Sequence, residues 1–249
     1  MTPKYGRVLW GCLAATVVCL AGALPFSAAR AGDSPDAIME RTRTTYGALR
    51  SYADKGIVLS EFGASEKERH AFTTVFNRAP RHFILDFRKQ GGDQFVIWGD
   101  PDAFHTWWKE TADQSDYPNP SNVDAINLSD VTTVGSATKI PTLLYPKASL
   151  VGALSHFADA VLDGSEDIGG QPCYRLVGRT NDVYGATGKE VNFRKLTIWI
   201  DKTTMLVRQI REERKSRPGE VDRTTTTYEP QANPSLPDSR FTFKSPDSQ

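Results

Sequence analysis

From residue 72 onward, bulky apolar side chains return at every second position, and this period limits what the chain can fold into. Phe72, Thr74 and Phe76 alternate with Thr73, Val75 and Asn77. Phe83, Leu85 and Phe87 alternate with Ile84, Asp86 and Arg88, and Leu196, Ile198 and Ile200 with Lys195, Thr197 and Trp199. A period of two places successive side chains on opposite faces of a strand. Between the runs lie Gly91-Gly92-Asp93, Gly99-Asp100-Pro101-Asp102 and Asp201-Lys202-Thr203-Thr204, which are turn compositions. Strands are therefore expected at 72–77, 83–88, 94–98, 103–109, 171–179, 193–201, 205–214 and 223–228, with a last short one at 241–243. Short strands joined this way form an antiparallel meander.

Elsewhere the period changes. Ser34 suits a helix N-cap, Pro35 the first helical position and Asp36 the positive end of the dipole. Ile38, Thr42, Tyr46 and Leu49 then recur at helical spacing, predicting a helix that ends near Arg50. Residues 116–122 contain Pro118 and Pro120 and read as loop, and 123–138 fit a loop or a short helix. Leu150, Leu154, Phe157 and Val161 give 148–162 a helical spacing, followed by a solvated acidic turn at Asp163-Gly164-Ser165-Glu166-Asp167. The tail over 229–237 is expected to be extended. The class is α+β, mainly β.

The strand faces carry large apolar groups: Phe72, Phe76, Phe83, Leu85, Phe87, Tyr174, Leu176, Leu196 and Ile198. Each such side chain contributes roughly 1.5–3 kcal/mol when fully buried, so this face must be covered. About three short helices are on offer. Two arrangements satisfy the pattern: a sheet packed solid by those helices, or a curved sheet whose remaining hollow prefers an apolar ligand to water.

The amino terminus reads as a leader. Lys4 and Arg7 precede an uncharged, mostly apolar run over 8–24, and Ala29-Arg30-Ala31 has the small-x-small pattern of a cleavage site. Maturation is expected after Ala31, with Ser27-Ala28-Ala29 as an earlier alternative, giving a signal peptide over 1–31 and a single domain over 32–249. A retained anchor is the competing reading, but seventeen residues fall short of the roughly 20 that span a bilayer. Cys12 and Cys19 leave with the leader, and Cys173, alone in the mature chain, is expected to be buried and inert.

Losing Lys4, Arg7 and Arg30 takes the balance from 30 basic and 30 acidic groups to 27 and 30, a mature charge of −3. This gives no basic face for nucleic acid. His70, His82, His105 and His156 form no short-spaced pair and read as strand or surface residues. With one mature cysteine a cysteine-based zinc site is excluded. No phosphate-binding glycine loop or nucleophile turn is present. No cofactor, metal or catalytic residue is expected. Trp107 and Trp108 are adjacent and point to opposite faces of a strand, one in the core or cavity and the other at the rim, with a paired ligand clamp as the alternative.

Several segments resemble the LolA-like periplasmic superfamily of outer-membrane lipoprotein carriers, above all a set of predicted periplasmic proteins of unassigned function. They are Leu49-Arg50-Ser51-Tyr52, Phe76-Asn77-Arg78-Ala79-Pro80-Arg81-His82-Phe83, residues 95–100, Gly169-Gly170-Gln171-Pro172-Cys173-Tyr174-Arg175-Leu176, residues 196–210, and Asn233-Pro234-Ser235-Leu236-Pro237 with Phe241-Thr242-Phe243. The resemblance implies an incomplete β-barrel with helices as a lid over its concave face. It also implies that acyl chains or another apolar ligand lie in the hollow, lined by the nine residues named above. The carriers have an Arg directly before the Pro of the strand junction that ties the lid shut. Here Ala79 holds that place, and Arg78, the nearest candidate for a latch, is shifted by one residue, which reverses the facing of a strand side chain. The expected activity is that of a monomeric periplasmic carrier of a lipid or acylated protein. The alternative is an envelope sensor or interaction protein on the same fold, recognising a protein partner through residues 110–150; an enzyme is not expected.

Overall fold

The computed structural model describes residues 34–63, 66–100, 102–118, 140, 143–144, 154, 157–181, 193–217 and 220–245. The expected leader over 1–31, residues 123–138 and His156 lie outside the described residues. Helix α1 covers Pro35–Ala48. Its N-cap Ser34 accepts a hydrogen bond from the Ala37 N–H at 3.2 Å, and Pro35 and Asp36 occupy the first turn as expected. Ile38, Thr42 and Tyr46, four residues apart, form its buried stripe together with Met39. The helix stops where the chain must turn into the sheet. The Asn233 side chain accepts from the N–H of Arg50 at 2.7 Å and of Ser51 at 3.4 Å, and Asn233 N–H donates to Ser51 O at 2.9 Å.

Strands follow at Ser51–Phe62 (β1), Glu66–Arg78 (β2), Arg81–Lys89 (β3), Gln94–Gly99 (β4), Ala103–Trp108 (β5), Asp113–Pro118 (β6), Ala158–Ile168 (β7), Gln171–Asn181 (β8), Phe193–Asp201 (β9), Val207–Arg217 (β10), Glu220–Tyr228 (β11) and Gln231–Ala232 (β12). They make one twelve-stranded sheet in the order β6-β5-β4-β3-β2-β1-β11-β10-β9-β8-β7, with β12 paired to β1 off this path. Two antiparallel meanders are thus joined where β1 meets β11, Gly56 opposite Tyr228 through Glu61 opposite Arg223. The sheet is open: β6 and β7 end the row. This is the α+β, mainly β, half-barrel architecture that the sequence led us to expect.

Three expectations need correction. Residues 158–162 are not helical but begin β7, which runs through the acidic stretch to Ile168. The helical spacing straddled a boundary: Leu154 and Phe157 belong to the core, whereas Val161 is 57% exposed on an edge strand. That strand carries register shifts between Ala158 and Val161 and between Leu162 and Ser165, irregularities typical of a guarded edge. Residues 113–118, expected in part as loop, form edge strand β6. Residues 241–243 are no strand. A 3₁₀ turn spans Asp238–Phe241, and the tail lies against the outer face, with Phe241 5.5 Å from His82, and Phe243 5.0 Å from Trp98 and 5.2 Å from Trp107, ring to ring.

Candidate functional site

Register fixes which side chains share the helix-bearing face. On one flank Phe72 lies opposite Phe87, Thr74 opposite Leu85 and Phe76 opposite Phe83, and Phe87 opposite Phe95. On the other, Leu196 lies opposite Gly178, Ile198 opposite Leu176 and Ile200 opposite Tyr174. The flanks connect through Val58, opposite both His70 and Thr226, and then through Ile210, opposite Thr226 and Ile198. The structure therefore brings all nine apolar candidates to one face and into one cluster. Phe72, Phe76, Phe83, Leu85, Phe87, Leu176, Leu196 and Ile198 are buried, and Tyr174 packs against them half-buried. Ile38, Met39, Tyr46 and Leu49 from α1 belong to the same cluster, as do Ile140, Leu143, Leu144 and Leu154 from the middle segment. The inner face is thus covered by two separate pieces of chain.

Two glycines let rings lie flat on this face. A Cβ on Gly56 would sit 2.4 Å from the Phe72 ring and 2.2 Å from Thr227 O, and one on Gly178 would meet the Phe157 ring at 2.5 Å. Phe72 then reaches Tyr228, ring centroids 5.6 Å apart and edge to face.

Arg78 meets both covering pieces. Its Nε donates to Leu49 O at 2.7 Å, and its Nη2 donates to Tyr46 O at 3.3 Å and Leu144 O at 3.1 Å. The first two acceptors are carbonyls at the end of α1, where a cation is favoured by orphan C=O groups and by the dipole. The guanidinium also lies 5.1 Å over the Phe76 ring. The one-residue shift in sequence did not turn this side chain away, because Arg78, two residues after Phe76 at the end of β2, shares the face of Phe72, Thr74 and Phe76.

The polar members of the face were not legible in the sequence. Asp54 is buried on β1, with Tyr52 Oη donating to Oδ2 at 2.7 Å and Thr74 N–H donating to Oδ1 at 3.0 Å. Burial pushes its carboxyl up from the ordinary 3.8 to about 6, opposed in part by those hydrogen bonds. Burial likewise holds the Tyr46, Tyr52 and Tyr228 hydroxyls well above their ordinary range. Tyr46 Oη accepts from Val207 N–H at 3.1 Å, which ties α1 to β10. His70, expected as a strand or surface residue, is a buried strand residue facing inward; burial lowers its pKa, opposed by Glu68.

The remaining sequence candidates lie elsewhere. His82 and His105 are on the opposite face, His105 Nδ1 being 2.6 Å from Asp116. Trp107 is buried there beneath Phe243, while Trp108 is partly exposed beside Phe95. Cys173 is free and buried, its thiol pushed up to about 11 by burial. Such a thiol is a poor nucleophile.

No curated protein matches the chain. Among solved structures it is similar to the lipoprotein LppX of Mycobacterium tuberculosis, at 13% identity, 81% of this chain, 96% of that chain and a TM-score of 0.47. It is also similar to the MucB of Pseudomonas aeruginosa, solved in complex with MucA, at 12% identity, 83% of this chain, 60% of that chain and a TM-score of 0.43. A LolA superfamily protein of Nitrosomonas europaea aligns at 10% identity over 84% of this chain and 98% of its own, with a TM-score of 0.35. The model of one protein family matches residues 73–249, most of the sheet. The chain belongs to that family, described as predicted periplasmic protein (DUF2092).

Proposed function

We propose that this periplasmic protein holds the apolar part of a lipid, or the acyl chains of a lipoprotein, between its inner sheet face and the two pieces of chain that cover it, and does no chemistry on them. The nine apolar residues from Phe72 to Ile198 line that space in this reading, and Arg78 latches the cover. The observation that carries it is the way the cover is held. Three arginine hydrogen bonds reach from the end of β2 to Tyr46, Leu49 and Leu144, above a face that is otherwise mostly apolar. Each hydrogen bond to a charged group contributes about 1.5–3 kcal/mol, so one side chain at the end of β2 holds both covering pieces at that end of the face. Breadth matters as well. Eleven strands in a continuous row span roughly 48 Å at the usual strand spacing. The fourteen residues of α1 make a rod only about 21 Å long.

Native mass spectrometry of protein purified from cell envelopes without detergent tests this. Co-purifying lipid is expected, on a chain beginning at Gly32 once the leader has been removed. Clean apo-protein that also fails to take up a fluorescent acyl probe would overturn the reading.

A further inference from the structure

The inner face is not uniformly apolar along its strands. Away from the aromatic rows and toward the Phe62 end of β1 lies a belt of buried polar groups. Ser60, fully buried, is opposite Glu68 on β2 and Thr224 on β11. His70 is its diagonal neighbour, and Thr226, also fully buried, flanks it from the other side. Glu212, opposite Thr224, and Thr180, opposite Arg194, continue the belt across the second meander. Ser60 Oγ, His70 Nδ1 and Thr180 Oγ1 are buried with no hydrogen-bond partner among the described residues. A buried polar atom left without a partner costs free energy that a native fold rarely tolerates without a reason. Three on one belt, all on the face that the proposed ligand would touch, indicate a polar group still to be supplied.

Charge decides what kind. Glu212 is 3.1 Å from Arg194. Glu68 is 3.3 Å from His70 Nε2 and 3.6 Å from Lys89. The carboxylates of the belt therefore already face cations, and a charged headgroup would meet like and unlike charge together. The orphaned atoms are hydroxyls and an imidazole nitrogen, which match hydroxyl groups in both directions.

We propose that this belt receives the uncharged, hydroxyl-bearing headgroup of an amphiphile whose chain lies along the aromatic rows. The proposal rests on the apolar-ligand reading above and adds the class of headgroup. A glycerol head and a sugar head offer the same chemistry.

The test is displacement of a fluorescent apolar probe from the full mature protein by four ligands with the same twelve-carbon chain: monolaurin, dodecyl glucoside, methyl laurate and laurate. It is run on the wild type and on Ser60→Ala/Thr226→Val. The expected result is about tenfold tighter binding of monolaurin, dodecyl glucoside or both than of methyl laurate, falling to within about twofold in the double variant. Whichever of the two hydroxylated ligands is preferred identifies the source of the head. The ratio between ligands is the readout, because a purely structural effect of the substitutions would weaken all four together; Ser60→Ala alone, with its thermal midpoint retained, repeats the comparison if the double variant folds poorly. Equal binding of the ester and the hydroxylated ligands, tightest binding of laurate, or a preference that survives the substitutions would overturn the headgroup assignment and leave apolar binding standing. Failure of all four to displace the probe would overturn both.

Discussion

Asp54 offers a quantitative test of the packing. Its carboxyl is buried between Tyr52 and Thr74 and held at about 6, against 3.8 in an ordinary setting. A carboxyl whose folded pKa is raised favours the protonated form in the folded state, so the folded protein binds more protons than the unfolded chain between those two values. Its contribution to stability therefore rises as pH falls through about 6 toward 3.8 and is lost as pH rises again. At about 1.36 kcal/mol per pH unit, the span from 3.8 to about 6 amounts to roughly 3 kcal/mol. His70 titrates in the same range with the opposite sign, because burial lowers its pKa from 6.5. The clean quantity is hence a difference. Urea unfolding of the wild type and Asp54→Asn, followed by tryptophan fluorescence, should show the variant gaining on the wild type by roughly 2–3 kcal/mol as pH rises from 4 to 7.5. A difference that stays constant over that range would show that Asp54 is solvated or neutralised in a way this geometry does not contain.

Gly56→Ala should cost about 2 kcal/mol or more in the same assay, since the new methyl meets Thr227 O on the backbone at 2.2 Å and the Phe72 ring at 2.4 Å; an unaltered midpoint would refute the close approach. Arg78→Ala should destabilise by about 2 kcal/mol and selectively speed hydrogen exchange of amides near the end of α1, whereas Arg78→Lys, without the fork, should restore little. Cys173 should resist an aromatic disulfide reagent in the native state and react at the rate of unfolding, because it is buried and its thiol is held up to about 11; prompt labelling of folded protein would contradict that.

Legibility followed the chemistry of each strand. β3, β9 and the second half of β2 could be read because large apolar groups occupy alternate positions, and β10 because a turn composition at 201–204 precedes it. β1 could not be read from alternation, though it lies at the junction of the two meanders; only the resemblance marks a strand starting at Ser51-Tyr52. Its inward positions include Asp54, Gly56 and Ser60, so no apolar alternation is written there. Asp54 is tolerable inside because Tyr52 and Thr74 bond it, and Gly56 because Phe72 fills its place. β7 was hidden for the reverse reason: an edge strand with mostly exposed side chains carries no burial pattern. The candidate site divided likewise. The nine apolar residues named from the sequence lie on the inner face, but Val58, Ile97, Ile210 and Tyr228 of the same cluster were not among them, and His70 was passed over, since a lone histidine in a strand carries no sign of which way it faces or what it meets.

The residues alone specified a helix start at Ser34, a period of two over most of the chain, the turns that separate the strands and an isolated thiol, because each depends on side chains only a few positions apart. Tertiary structure decided that β1 joins the two meanders, that the closing aromatic residues pack on the outer face, and that Arg78 reaches both parts of the cover. It also placed Ser60, His70 and Thr226 side by side. Those outcomes depend on pairing between residues far apart in the chain, Val58 with Thr226 being one example, and that pairing is settled only when the whole sheet buries its apolar face at once.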